Sequence, residues 1–404
     1  MGQWKAWAVN LGLALSSLVL GIAIGEIGLR LAKIEGLKKL PEPGHAVFSP
    51  SFFTQSDPDR GWSNRPGAKG WWQYEGESYV EINSDGLRDK DYAIAKPKNT
   101  FRIAVLGDSF TLASQVPPNS NYTSVLEKTL GNCAKFKGKN IEVLNFGVDG
   151  YGTAQELITL REKVEKYNPD LVIVAFFIGN DVIDNSRKLE DNYYRPFFVY
   201  KNGQLEPDFS FRNLPMGYSN RYLITTVDHL PDWLVNHSRI LQVAKKAELE
   251  YRKNNLVKHS NQLSVTTFRE PQDSDWKEAW QITEDLLKLM AQEVKDKGAK
   301  FLLMVIADPM QVHQDEATRQ FFKVSNKIEN LYYPNERLKA IGKHNNFPVL
   351  DLAPDFQAYA KQNQVCLHGF EKNNTLCGGH WNSKGHHLAA ELITNQLCKT
   401  DNGL

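Results

Sequence analysis

Residues 101–110 read FRIAVLGDSF, and this stretch decides the fold. A short apolar run ends in Gly107, and a polar turn, Asp108-Ser109, follows at once. A helical stretch around 119–130 comes next. Four further runs behave alike: IEVLNFGV (141–148), DLVIVAFF (170–177), AKFLLMVIA (299–307) and FPVLDLA (347–353). Helical patterns at 153–167 and 276–297 separate them. Runs this apolar are buried on both faces, and alternation with helices makes the sheet parallel, so an α/β domain is expected.

Outward from this core, residues 34–100 are poor in helix signals and rich in Gly, Pro, Ser and aromatics. Asp57-Pro58 and Arg65-Pro66-Gly67 mark turns, and TyrValGluIle (79–82) alternates as a strand does. This region is expected to be a β-rich collar rather than a domain of its own. Residues 183–275 interrupt the α/β alternation. They contain Asn202-Gly203 between strand-like runs, a hairpin signal, and an amphipathic helical pattern at 238–253. An insertion after the third strand lies at the carboxyl edge of the sheet, where it can act as a lid or substrate platform.

At the N-terminus, residues 6–25 (AWAVNLGLALSSLVLGIAIG) carry no charge. About 20 apolar residues cross ~30 Å of hydrocarbon as a helix, and Trp4 and Trp7 stand where interfacial aromatics belong. The segment runs on into Glu26 and Leu-Arg-Leu with no obvious cleavage site, so residues 1–33 read as an uncleaved single-pass anchor. Lys5 precedes the span, and Arg30, Lys33, Lys38 and Lys39 follow it. That tally favours a cytoplasmic catalytic domain. The cysteines point the other way. There are four, Cys133, Cys366, Cys377 and Cys398, and Cys366 and Cys377 bracket a polar loop. Disulfides would place the domain in an oxidising compartment, and four free thiols remain the alternative. The 404 residues carry a formal net charge of +1, so no nucleic-acid partner is indicated.

The chemistry-bearing residues lie at the ends of these elements. Ser109 ends the first strand before a helix, where a helix N-terminus favours developing negative charge; capping that helix is the plainer role. Asn145 to Gly152 closes the second strand with three glycines in six residues, which allows close backbone approach. Gly179-Asn180-Asp181 closes the third, and an amide there can donate to an oxyanion. Gly378-Gly379-His380-Trp381-Asn382 precedes a last helical pattern, a position suited to a general base; His386 and His387 belong to the start of that helix.

Taken in order, Ser, Gly, Asn and His resemble the four blocks of the SGNH (GDSL-type) hydrolase superfamily. The resemblance covers residues 80–397 and leaves the insertion 183–275 outside the motifs. IleAsnSerAspGlyLeuArgAsp (82–89) is similar to a lead-in of membrane-anchored members. The resemblance implies a three-layer α/β/α, flavodoxin-like hydrolase domain over 101–400. It implies Ser109 as nucleophile and His380 as base. The oxyanion hole would be built from the Ser109 N–H, the Gly150 N–H and the Asn180 side chain. No metal or organic cofactor is implied. The family places an aspartate two or three residues before the histidine. Cys377 and Gly378 stand there instead, so the imidazole is left to a backbone carbonyl or to a distant carboxylate, Asp351 or Asp308, or the enzyme is impaired. The expected activity is ester hydrolysis on an acylated glycan, lipid or small ester, with the membrane contacted through the N-terminal helix and the catalytic domain outside the cytoplasm. O-acyl transfer to cell-envelope polysaccharide is the nearest alternative. A non-catalytic glycan- or lipid-binding protein on the same fold is another, motivated by the missing acid.

Overall fold

The computed structural model describes residues 2–31, 53–72, 75–214, 227, 230–245, 247–248 and 264–399. The expected collar residues 34–52, much of the insertion, and the helical pattern beyond 248 lie outside them.

Five parallel strands form the central sheet: β5 (Thr100–Gly107), β6 (Asn140–Gly147), β7 (Leu171–Phe177), β10 (Lys300–Ile306) and β11 (Val349–Asp351), in the spatial order β11-β10-β7-β5-β6. Both faces are covered. Within β5, Ala104 and Leu106 point to one apolar layer with Leu157, Trp280 and Leu338, while Ile103 and Val105 point to the other with Leu126, Phe356 and Ile393. Strand alternation therefore persists, with both sets of side chains buried. The helices Thr153–Thr159, Ser274–Asp296 and Tyr333–His344 supply the first layer; Tyr122–Leu130, Ala353–Asn363 and Ser383–Cys398 supply the second. This is the flavodoxin-like three-layer arrangement. The chain leaves β5 for β6 on one side and returns as β7 on the other, so β5 ends at the topological switch point, where open α/β sheets leave a crevice.

Between the N-terminal helix and β5, the described residues form two antiparallel hairpins, β1 (Thr54–Asp57) with β2 (Gly61–Asn64), and β3 (Lys69–Trp72) with β4 (Ser78–Glu81). Both are tied to the loops at the carboxyl ends of the sheet strands. Trp62 Nε1 donates to the Asp149 carbonyl (2.9 Å), Asn64 Nδ2 to that of Gly147 (3.0 Å) and Ser78 Oγ to that of Ser114 (2.6 Å). Arg88, from the 82–89 lead-in, is buried and donates to the carbonyls of Leu112 (3.0 Å), Ala113 (2.6 Å) and Val116 (2.7 Å). A guanidinium with that many acceptors compensates its own burial and locks the hairpins to the turn that carries Ser109.

In the inserted region, β8 (Phe197–Lys201) and β9 (Gln204–Asp208) form the hairpin that Asn202-Gly203 signals, with positive φ at both turn residues as a type I′ turn requires. Two disulfides join Cys133 to Cys398 and Cys366 to Cys377. The N-terminal helix spans Gly2–Leu31, and its Val9–Leu31 portion is apolar enough to cross a membrane.

Candidate active site

Ser109 opens a one-turn helix, Ser109–Leu112, directly at the end of β5. Asp108 caps it, accepting from the Phe110 N–H at 2.9 Å. The turn lies unusually close to the sheet. A methyl group on Gly147 would fall 2.3 Å from the Leu112 nitrogen, so glycine at the end of β6 is what lets the Ser109 turn settle onto the strand ends.

His380 reaches the same point from a loop 271 residues away, and its Nε2 lies 2.7 Å from Ser109 Oγ. Its Nδ1 lies 2.5 Å from Glu75 Oε2, and its own backbone N–H donates to Glu75 Oε1 at 3.0 Å. One carboxylate is thus gripped by both the side chain and the main chain of the histidine. Glu75 is buried, at 7% exposure, in the β3–β4 connection. Two glycines make its reach possible. Any side chain on Gly379 (φ +67°) would place a carbon 2.0 Å from Glu75 Oε1, and one on Gly76 (φ +67°) a carbon 2.2 Å from the Gln115 carbonyl oxygen.

Glu75 replaces both carboxylates put forward from the sequence. Asp351 accepts from Asn335 Nδ2 (2.7 Å) and the Ala353 N–H (3.1 Å) and pairs with Lys339 (2.6 Å), at the edge strand. Asp308 caps the turn Pro309–Val312 through the Met310 N–H at 2.7 Å, although it does line the cleft. A strand-end aspartate followed by a helix is drawn to the free N–H groups there, and neither is left to serve His380. A backbone carbonyl is not the partner either. Glu75 carries little sequence signal: it is 305 residues from His380, and only its place before Gly76, among Trp and Tyr in a hairpin connection, sets it apart.

The expected oxyanion donors are the N–H groups of Ser109 and Gly150 and the Asn180 side chain. The N–H groups of Ser109 and Gly150 have no acceptor among the described residues. Gly150 has φ +70°, and Arg195 holds its carbonyl at 2.9 Å, yet it is not among the residues that line the cleft, as Ser109 and Asn180 are. Asn180 Nδ2 is occupied, donating to Asp108 Oδ2 (3.3 Å) and Asp184 Oδ2 (3.0 Å). The longer of these two bonds is the one it would exchange to serve an oxyanion.

Electrostatics favour a base. Burial alone would lower the His380 pKa, but the charge and hydrogen bond of Glu75, with Asp149 and Asp108 farther off, hold it up at about 8. Behind the site lie several carboxyl groups. Burial lifts Asp108 to about 6 and, reinforced by neighbouring carboxylates, drives Glu156 and Asp181 well above the usual range. Kept neutral, Glu156 and Asp181 spare the reacting centre a concentration of negative charge that would oppose an oxyanion.

The cleft in front of Ser109 has a volume of about 1170 Å³. Phe110, Phe177, Val265, Phe268, Met310 and Phe322 give it apolar walls; Arg269, Asn326 and Lys327 add polar groups. A hydroxyl beside a carboxylate-backed imidazole, with a free N–H at the mouth of such a cleft, is equipped for acyl transfer through a serine ester.

Residues 103–200 match the family described as GDSL-like lipase/acylhydrolase. No curated protein matches the chain. Among solved structures it is similar to the acetyl xylan esterase AlAXEase (14% identity, 73% of this chain and 98% of that one, TM-score 0.36). It is also similar to a catalytic mutant of the acetylxylan esterase Axe2 from Geobacillus stearothermophilus (13%, 73% and 93%, 0.38). A third is LAE5, an alpha/beta hydrolase enzyme from the metagenome of Lake Arreo, Spain (13%, 73% and 94%, 0.35).

Proposed function

We propose that this chain, which matches the GDSL-like lipase/acylhydrolase family over residues 103–200, is a serine esterase whose triad is Ser109, His380 and Glu75. The observation that carries the reading is the unbroken relay from Ser109 Oγ to His380 Nε2 (2.7 Å) and from His380 Nδ1 to Glu75 Oε2 (2.5 Å).

In this reading Ser109 Oγ attacks the ester carbonyl while His380 Nε2 takes its proton. Glu75 holds the Nδ1 proton, and so the tautomer, and stabilises the imidazolium that forms. The tetrahedral oxyanion is received by the N–H groups of Ser109 and Gly150 and by Asn180. The imidazolium then protonates the departing alkoxide, leaving an acyl-Ser109 that water cleaves by the same steps in reverse order of roles.

An acylated glycan, a lipid ester or a small ester is the substrate class; a cleft of this size, with mixed walls, suits a leaving group larger than its acyl part. Transfer of the acyl group to a polysaccharide hydroxyl shares the acyl-enzyme and differs only in the acceptor. Acyl release from loaded enzyme, with and without oligosaccharide, separates the two. The non-catalytic reading has lost its motive, because it rested on a missing acid. The N-terminal helix serves as a single-pass anchor with the catalytic domain outside the cytoplasm, a placement supported by two disulfides that an oxidising compartment maintains.

The test is p-nitrophenyl acetate turnover by the full chain against Ser109→Ala. The variant is expected to lose all turnover above the uncatalysed rate, and equal rates in the two proteins would overturn the proposal.

A further inference from the structure

Among the described residues, nothing covers the N-terminal helix along most of its length. Leu11, Leu15, Val19, Ile22 and Ile27 are each more than half exposed, and hydrocarbon is the solvent in which such a surface is stable. Its last turns are different. Glu26 accepts from the backbone N–H groups of Arg239 (2.9 Å) and Ile240 (3.2 Å) and from Ser238 Oγ (3.1 Å), so it caps the helical stretch 239–245 of the inserted region. Arg30 braces it, donating to Glu26 at 2.8 Å and to the His237 carbonyl at 2.6 Å. Gly25 leaves room beside them: a carbon placed on it would touch Ile240 Cδ1 at 3.4 Å.

We propose that the inserted stretch 230–245 is a second membrane contact, seated in the interfacial layer of a lipid bilayer beside the exit of the N-terminal helix. This rests on reading that helix as the anchor. Depth supports it. Glu26 directly follows the uncharged stretch 6–25 that crosses the hydrocarbon in this reading. A stretch pinned to Glu26 is therefore held within the headgroup region rather than out in water. The side chains fit that level. Trp233 and Leu230, just before the pinned point, are 65% and 38% exposed, and an exposed tryptophan beside the end of an apolar span is where the interface places one.

The experiment reconstitutes the full chain in phosphatidylcholine vesicles, with and without acyl chains brominated near the headgroup. Trp233 emission is the difference between the native chain and Trp233→Phe. The expected result is a blue-shifted emission that loses most of its intensity in brominated vesicles. Glu26→Leu removes the cap while making the span more apolar. It should still float with vesicles but return Trp233 to an unquenched, water-like emission. Trp233 emission insensitive to bromine in a chain that floats would overturn the contact and leave the anchor standing; quenching that survives Glu26→Leu would overturn the clamp; a chain that does not float would overturn both.

Discussion

Replacing Glu75 by glutamine tests the site at its least expected member. The side chain keeps its shape and loses its charge. The charge effect follows from the His380 pKa of about 8. Returning the imidazole from there to its ordinary 6.5 removes about 2 kcal/mol of preference for the imidazolium, at roughly 1.36 kcal/mol per pH unit. The imidazolium forms in the transition state, so kcat should fall about 30-fold from this alone. A second effect adds to it. The carbonyl of the introduced amide can still accept the His380 backbone N–H, which Glu75 receives at 3.0 Å. Its NH₂ then faces Nδ1 and makes that atom an acceptor. The imidazole proton moves to Nε2, the atom that must be free to take the Ser109 proton. In a serine triad the loss of the correct tautomer has cost about 10⁴ in kcat, so Glu75→Gln is expected between these two limits. The assay is p-nitrophenyl acetate turnover across pH 5 to 10. The native kcat/KM should rise as pH climbs through about 8, where His380 becomes neutral, and the variant's residual activity should rise at a lower pH. Glu75→Gln at native rate, with its midpoint still near 8, would refute the assignment.

Four other outcomes follow from the same geometry. Gly379→Ala leaves the triad chemically complete but sets a carbon 2.0 Å from Glu75 Oε1 at φ +67°; turnover should fall toward that of Glu75→Gln while the circular-dichroism spectrum stays native. Asn180→Ala should lower kcat by roughly 10²–10³, the cost of one oxyanion donor, with the melting temperature little changed; insoluble protein would instead mark Asn180 as structural. The raised His380 pKa also stabilises the fold: about 2 kcal/mol is present below pH 6.5 and lost as pH rises through about 8, so the native melting temperature should decline across that window and that of Glu75→Gln should not. The disulfide Cys366–Cys377 closes an 11-residue separation just before His380, and its double serine variant should lose roughly 2–3 kcal/mol of stability in urea melts.

What could be read from the sequence was whatever a local pattern encodes. β5 announces itself because Ile103 and Val105 face one apolar layer while Ala104 and Leu106 face the other, and that requires an unbroken apolar run. Ser109, Asn180 and His380 stand at ends of elements and could be placed by position. Glu75 could not. It joins the site through tertiary packing of the β3–β4 hairpin, through the Arg88 guanidinium on the 112–116 carbonyls, and through the absence of a side chain at Gly379, and none of these leaves a periodicity. Nor does a strand-end aspartate declare whether it faces the cleft or, like Asp351, the N–H groups of the next helix. The departure before His380 and the carboxylate from the hairpin are two aspects of one arrangement. With Gly378 and Gly379 ahead of the histidine, no carboxylate of its own loop competes for Nδ1. The missing side chain at Gly379 also opens the space into which Glu75 inserts. A carboxylate restored at residue 378, as Gly378→Asp, should therefore not improve the enzyme. It would set a second negative charge beside the pair that His380 already makes with Glu75 at 2.5 Å, and it should raise the pH at which activity appears rather than the rate reached above it.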